Sequence, residues 1–281
     1  MRAMIPNARI DAHQHYWRYD PVEYAWLDDS MRGLRRDFMP EDALREMRGA
    51  GFERSIAVQV RQSLDETRWL LTLADAHPFV AGVVGWVDLR SPAVDAELEA
   101  VAPHRKLIGV RHIVQAEPEG FLESPEFRRG VSRLDRFGLT YDLLIYARQL
   151  PEALAFVRAL PEQRIVLDHL AKPDIKGGGF DTWRRHFAAL AEFPQVWCKL
   201  SGLVTEADWQ RWTPDHLRPY VQTALDCFGP DRLMIGSDWP VCTVAASYAR
   251  TMQVVEGALA EYTPAERASV LGGTAQRLWN V

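Results

Sequence analysis

The stretch Ile10-Asp11-Ala12-His13-Gln14-His15 is typical of the end of a β-strand, and it carries two histidines at alternate positions. Alternate residues of a strand point to the same side, so His13 and His15 project together while Gln14 turns away. Two imidazoles side by side can bind a divalent metal or polarise an oxygen, if further ligands converge from other strands. The alternative is two ordinary histidines at a strand end. The remaining strands decide between these interpretations.

Seven more strand-like segments follow the first, and helical patterns alternate with them without a break. The predicted strands cover residues 9–13, 55–61, 80–88, 107–113, 139–145, 164–169, 196–201 and 232–237. The predicted helices cover residues 41–50, 65–76, 93–101, 125–137, 150–160, 182–192, 215–227 and 244–261. Nearly continuous apolar strands are expected where helices cover a parallel sheet. Eight such units without a linker predict an α/β fold, a single (β/α)8 TIM barrel domain over residues 1–281, with its active site at the C-terminal ends of the strands.

Local signals mark several helix ends. Asp65 and Ser124 are predicted N-caps, the second followed by Pro125 at the first helical position. Gly138 stands where the end of a helix favours a left-handed residue.

Composition excludes several kinds of partner. A formal charge of −5 argues against a nucleic-acid partner, which favours a basic face. No apolar run approaches the ~18–20 residues of a membrane span, and residues 1–6 are too short and broken for a signal peptide. No glycine-rich phosphate loop follows a strand, so nucleotide binding is not expected. Three cysteines without metal-type spacing fit reduced thiols and predict a cytoplasmic protein.

Polar and ionisable residues cluster at one end of the predicted strands, while the middles of the strands are apolar. These residues are His13, His15, Arg61, Arg111, His112, Asp142, Tyr146, Asp168, His169, Lys199, Ser201 and Asp238. Each has a structural alternative: Asp168 can cap a helix, Lys199 can be a surface residue, and Asp142 can pair inside the barrel. Because barrel enzymes place their chemistry at this end, the cluster as a whole predicts a catalytic centre.

Four motifs in chain order resemble the amidohydrolase superfamily, and more narrowly its amidohydrolase-2 branch with sugar-lactone hydrolases such as L-fuconolactonase and L-rhamnonolactonase. The motifs are Asp11-Ala12-His13-Gln14-His15, Asp168-His169-Leu170-Ala171-Lys172-Pro173, Lys199-Leu200-Ser201-Gly202 and Gly236-Ser237-Asp238-Trp239-Pro240. They extend from the first predicted strand to the eighth, so the resemblance covers almost the whole chain.

The resemblance implies a hydrolase that opens a small sugar lactone to its acid, with L-fuconolactone as the best specific expectation. Asp238 matches the aspartate that takes a proton from the attacking water, and His169 matches a histidine beside it. His13 and His15 match a pair that binds a metal in many members and polarises the carbonyl directly in others. This suits the chemistry, because water needs a base or a metal and the tetrahedral alkoxide needs preorganised positive charge.

The sequence does not decide whether the site binds one metal ion or none. Binuclear members of the superfamily bridge two metals with a lysine or carboxylate from strand four or five. Here strand five ends Leu143-Leu144-Ile145-Tyr146, so two metals are not expected. One zinc-like ion held by His13, His15, His169 and Asp238 and a metal-free site are the remaining alternatives.

The predicted substrate contacts lie at the strand ends and in the loops that follow them. Predicted substrate-binding residues are Trp17 and Trp239, whose rings suit the faces of a sugar, with Arg61, Arg111, Asp142 and Tyr146. A lactonase for carboxylated lactones from aromatic breakdown, or a decarboxylase of the same branch, is the alternative enzyme, and it needs several arginines for an anionic substrate. A ligand-binding or scaffold protein without chemistry is the non-enzymatic alternative. It predicts loss of the base or the histidines, and all of them are present.

Overall fold

The computed structural model describes residues 8–281, and within this range eight parallel strands hydrogen-bond in chain order around one sheet. The strands are β1 (Ile10–Gln14), β2 (Arg54–Val58), β3 (Val80–Gly85), β4 (Leu107–His112), β5 (Thr140–Leu143), β6 (Ile165–Leu167), β7 (Val196–Leu200) and β8 (Leu233–Ile235). The first seven residues, where the sequence predicts no signal peptide, lie outside the described range.

Helices follow the strands and cover the outside of the sheet. They are α1 (Pro40–Gly49), α2 (Leu64–Ala76), α3 (Val94–Val101), α4 (Pro125–Arg133), α5 (Leu150–Arg158), α6 (Phe180–Ala191), α7 (Leu203–Glu206), α8 (Pro214–Phe228), α9 (Tyr248–Ala258), α10 (Pro264–Ala268) and α11 (Thr274–Trp279). The short helices α7, α10 and α11 are additions to the predicted set. A 3₁₀ turn, Leu134–Phe137, continues α4 to the predicted end. None of the helices in residues 8–281 is long and apolar enough to cross a bilayer.

The first and last strands close the sheet into a barrel. Beyond the end of β8, the Asp238 amide donates to the His13 carbonyl at 2.9 Å, and the His15 amide donates to the Trp239 carbonyl at 2.7 Å. At the opposite end of the barrel, the buried side chains of Leu278 and Trp279 on α11 pack among residues of the strands. The predicted (β/α)8 TIM barrel is therefore confirmed.

Seven strands, β2 to β8, end one to three residues earlier than predicted, and in β2 and β3 the backbone groups after the strand end turn to helix α2 instead of the neighbouring strand. The amides of Val60 and Arg61 each donate to the Glu66 carboxylate at 2.7 Å. The amide of Trp86 likewise donates to Thr67 Oγ1 at 2.7 Å. Apolar residues continue past these points, so the strand ends could not be located from hydrophobicity alone.

Helix caps agree with two of the three predicted signals. The Ser124 hydroxyl accepts from the Phe127 amide at 3.2 Å, and Gly138 has a φ of +69°. Asp65 is wrong as the N-cap of α2, because the first helical hydrogen bond runs from the Thr67 amide to the Ser63 carbonyl at 3.2 Å. Asp65 instead lies in the first turn, where its charge suits the helix dipole.

Candidate active site

His13 and His15 lie side by side at the carboxyl end of β1, with their Nε2 atoms 3.1 Å apart. Nδ1 of His15 lies 2.8 Å from the Val58 carbonyl. A carbonyl can only accept a hydrogen bond, so His15 carries its proton on Nδ1 and, when neutral, turns an Nε2 lone pair toward His13. A buried lone pair in this position needs a hydrogen-bond donor or a cation beside it.

Asp238 and His169 complete this cluster from the ends of β8 and β6. The Asp238 Oδ1 atom lies 3.2 Å from His15 Nε2, 3.8 Å from His13 Nε2 and 3.9 Å from His169 Nε2. All four side chains are buried, with His15 the most exposed at 5%. The structure thus brings together the four residues that the sequence predicts as catalytic.

The donor set of this cluster fits a divalent metal. Ligand atoms of His13, His169 and Asp238 all lie within 4.8 Å of one another, and His15 Nε2 adjoins two of them. Imidazole nitrogen and carboxylate oxygen are zinc ligands at about 2.0–2.2 Å, so the ligands of a tetrahedral site stand roughly 3.3–3.6 Å apart. The separations of His15 Nε2 from its neighbours, 3.1 and 3.2 Å, lie close to this spacing.

Electrostatics keep the imidazoles of His13 and His169 neutral and the carboxylate of Asp238 charged. Burial holds the pKa of His13 well below its usual range and lowers the pKa of His169 to about 4. Burial alone would raise the pKa of Asp238, but the surrounding imidazoles outweigh it and lower that pKa well below its usual range. At neutral pH the rings of His13 and His169 are therefore neutral and Asp238 is anionic, the protonation states that metal ligation requires, while an Arg111 guanidinium nitrogen lies 3.3 Å from His13 Nε2.

Asp11 ties the two halves of the cluster together. Its carboxylate accepts hydrogen bonds from the Ser237 amide at 2.9 Å, the Ser237 hydroxyl at 2.6 Å, Gln14 Nε2 at 2.7 Å and the His13 amide at 3.1 Å. It thereby joins β1 to the residue before Asp238. Asp11 belongs to the first motif of the chain, but the sequence alone indicates no role for it. Its position two residues before His13 placed it on the same side of the strand, which was the available signal.

A buried ion-pair network lies directly beneath His13. Lys199 Nζ is 2.5 Å from Asp142 and 3.0 Å from Asp168, and Arg111 donates to Asp168 at 3.1 Å. Asp168 also faces His13 Nδ1 at 3.5 Å, which supports the imidazole from below. Asp142 thus pairs with Lys199 inside the barrel, and this position gives no support to substrate contact, which stays a prediction. The predicted surface alternative for Lys199 is wrong, since its side chain is fully buried.

Two glycines leave room for the histidines. Gly202 has a φ of +68°, and a Cβ atom there would lie 2.6 Å from His169 Nδ1. The same nitrogen is 2.8 Å from the Ser201 hydroxyl, which orients the ring. A Cβ atom at Gly236 would lie 2.9 Å from His13 Cβ. Glycine at these positions lets both rings approach the backbone.

The segment that carries His169 has an unusual backbone. Residues His169, Leu170, Ala171 and Lys172 have φ values of 53°, 53°, 59° and 45° in succession. Left-handed conformations cost non-glycine residues free energy and persist where the surroundings enforce them. The Trp183 indole donates to the Leu170 carbonyl at 2.8 Å and helps to hold this turn.

The two predicted aromatic contacts are covered by the loop after β1. Trp17 is fully buried, its indole donates to the Arg36 carbonyl at 2.9 Å, and its ring packs on Phe38. Trp239 is 3% exposed and packs between Phe38 and Tyr16. Their position gives no support to direct substrate contact, which stays a prediction for both.

The other predicted substrate residues differ in their availability. Arg61 is about one-third exposed and pairs with Glu23 and with Glu66 at 3.1 Å. Tyr146 is half-buried, and the Lys172 ammonium lies 5.5 Å from its ring centre. Arg111, by contrast, is buried in the ion-pair network.

Comparison with known proteins gives consistent matches over nearly the whole chain. Residues 10–281 match the model of the amidohydrolase family Amidohydro_2. The chain is 43% identical to an L-fucono-1,5-lactonase from Burkholderia multivorans, over 96% of this chain and 95% of the relative. It is 37% identical to an L-fucono-1,5-lactonase from Burkholderia ambifaria, over 97% of this chain and 96% of the relative. A B. multivorans amidohydrolase crystallised with bound zinc superposes with a TM-score of 0.93 at 42% identity, over 98% of this chain and 99% of that chain.

Proposed function

The chain belongs to the amidohydrolase family, and on that premise we propose that it hydrolyses a sugar lactone, with L-fucono-1,5-lactone as the substrate. The observation that carries the proposal is the 43% identity to an L-fucono-1,5-lactonase over 96% of the chain. The cluster of three imidazoles around Asp238 supports the same chemistry, because ester hydrolysis needs an activated water and a stabilised oxyanion. A neutral small molecule is thus the proposed partner.

Asp238 is the proposed base. It accepts a proton as the water oxygen attacks the lactone carbonyl carbon and a tetrahedral alkoxide forms. The bond from this carbon to the ring oxygen then breaks, and Asp238 returns the proton to the departing oxygen, giving the open-chain sugar acid. A carboxylate with so low a pKa is a weak base, so it needs a water that is already acidified.

Acidifying the water would be the role of a metal ion held by this cluster, since a neutral imidazole does not lower the pKa of water in this way. His13, His15 and His169, together with Asp238, are the proposed ligands of one divalent ion, for which we propose zinc. When bound, such an ion lowers the pKa of water and polarises a carbonyl oxygen. Burial keeps His169 neutral and the Ser201 hydroxyl orients its ring, and its Nε2 lies 3.9 Å from Asp238 Oδ1.

The carboxylated-lactone alternative is not favoured. An anionic substrate needs free guanidinium groups, but Arg111 is engaged by Asp168 and Arg61 by Glu23 and Glu66. Two relatives that cover nearly the whole chain, at 43% and 37% identity, are L-fucono-1,5-lactonases. We also propose a reducing compartment, the cytoplasm, since the three cysteines are unpaired.

The test is a substrate panel with purified protein analysed for metal. Proton release is followed for L-fucono-1,5-lactone, L-rhamnono-1,4-lactone and 2-pyrone-4,6-dicarboxylate, against the spontaneous rate and with added zinc. We expect the fucose-derived lactone to give the highest kcat/KM. No rate above background on either sugar lactone, with or without zinc, contradicts the proposal. Preference for the dicarboxylate would move the function to the alternative class.

A further inference from the structure

A lysine and a glutamate face each other beside the catalytic cluster and take no part in the proposed chemistry. Lys172 ends the left-handed segment that begins at His169, and Glu206 ends helix α7 after β7. Their side chains are only 16% and 18% exposed, and Lys172 Nζ lies 3.6 Å from Glu206 Oε1. The pair is therefore largely withdrawn from water.

Both groups have hydrogen-bonding capacity to spare. A separation of 3.6 Å exceeds normal hydrogen-bond length, and the other close neighbour of the ammonium is the face of Tyr146 at 5.5 Å. An ammonium offers three donors, and a carboxylate accepts at about four positions. Burial raises the pKa of Glu206, and Lys172 offsets this only in part. Polar groups covered to this extent gain from partners that a substrate can bring.

The pair lies at the same end of the barrel as the catalytic cluster. Lys172 follows His169 by three residues after β6, and Glu206 follows Ser201, whose hydroxyl is 2.8 Å from His169 Nδ1, by five residues after β7. On its outer side Glu206 borders a surface cavity of about 760 Å³, together with Trp209. Glu206 is therefore bordered by open space that a polar group from outside the protein can enter.

We propose that Lys172 and Glu206 bind adjacent hydroxyl groups of the lactone ring. They thereby select substrates whose ring carries hydroxyls and no charge where it contacts the pair. One hydroxyl can accept from the ammonium while it donates to the carboxylate, which uses the spare capacity of both. A substrate carboxylate at this position would meet Glu206 with like charge. This inference rests on the proposed function and specifies which part of the substrate is recognised.

Two lactones that differ only in their hydroxyls test the inference. δ-Hexalactone has the ring and methyl group of L-fucono-1,5-lactone without the three hydroxyls. Lys172→Met and Glu206→Gln keep the approximate size of each side chain. Because methionine, like lysine, has a Cβ atom, Lys172→Met does not change the backbone strain at this left-handed position. Arg185→Met, which removes an exposed cation on helix α6 outside the lining of this cavity, is the control. Values of kcat and KM are measured on both lactones, at enzyme concentrations for which the enzymatic rate exceeds the rate of spontaneous hydrolysis.

We expect each variant to lower kcat/KM for L-fucono-1,5-lactone about 10- to 100-fold, as for lost hydrogen bonds to charged groups. The preference for this lactone over δ-hexalactone falls by a similar factor, and Arg185→Met keeps the wild-type preference. Equal losses on both lactones would overturn the inference, because the pair would then only support the site, and so would unchanged kinetics. If the wild type hydrolyses neither L-fucono-1,5-lactone nor L-rhamnono-1,4-lactone, the proposed function itself fails, which is a different result.

Discussion

Replacing Lys199 by Met should unbalance the buried network beneath His13. Lys199 Nζ lies 2.5 Å from Asp142 and 3.0 Å from Asp168, and all three side chains are fully buried. At this range and an effective dielectric of about 20, each pair carries about 6 kcal/mol of Coulomb energy. Removing the lysine also removes its own desolvation cost of several kcal/mol, so we expect a net loss of about 3–5 kcal/mol in the free energy of unfolding.

The dependence of this loss on pH follows from Asp142. Burial raises its pKa in the folded protein to about 6, above the ordinary value of 3.8. A raised folded pKa means that protonation favours folding, so this contribution is present at low pH and is lost as the pH rises through about 6. Without the Lys199 cation that pKa climbs further. The deficit of Lys199→Met relative to wild type should therefore grow from about pH 5 to about pH 8.

Urea unfolding at several pH values measures the effect, with Asp142→Asn and the double variant completing a cycle. The double variant removes one positive and one negative charge, so it should recover at least ~2 kcal/mol of the loss in Lys199→Met. A loss below ~1 kcal/mol, or strictly additive single variants, would refute the network as the source of the stability. A deficit that shrinks as the pH rises would refute the role given to Asp142.

Three further predictions concern the cluster itself. Asp238→Asn keeps the shape of the proposed base but cannot take a proton, so kcat should fall about 10²- to 10⁴-fold; near-wild-type turnover would exclude the assignment. Gly202→Ala places a Cβ atom 2.6 Å from His169 Nδ1 and should lower kcat as well as stability. Gly138→Ala is its control, because it has a similar φ of +69° but its nearest neighbour is 3.9 Å away, so only the backbone cost of about 1–2 kcal/mol should appear. Removing bound metal with a chelator, verified by elemental analysis, should abolish activity, and zinc should restore it; full activity of metal-depleted protein would support the metal-free alternative.

Local pattern was sufficient for the order of strands and helices and for the histidine pair, because both depend on periodicities of two and 3.6 residues. Contacts between residues that are distant in the chain could not be predicted from these periodicities. Whether Asp142 faced a substrate or Lys199 depended on the packing of β5 against its neighbours. Trp17 was placed near the centre by chain distance, yet its ring turns into the aromatic packing of its own loop. The strand ends depended on the Glu66 side chain, which competes for backbone amides from the next helix.

Barrel closure and assembly of the cluster depend on the same hydrogen bonds. The amide of Asp238 donates to the His13 carbonyl, and Asp11 holds Ser237 from a position 226 residues earlier in the chain. These bonds fix the register of β1 against β8 and, with it, the 3.2 Å separation of His15 Nε2 from Asp238 Oδ1. Opening this seam would separate two of the three histidines from the proposed base while most of the barrel stayed intact. Catalytic geometry is therefore a property of the closed barrel, and activity should be lost at lower denaturant than the bulk of the helical structure.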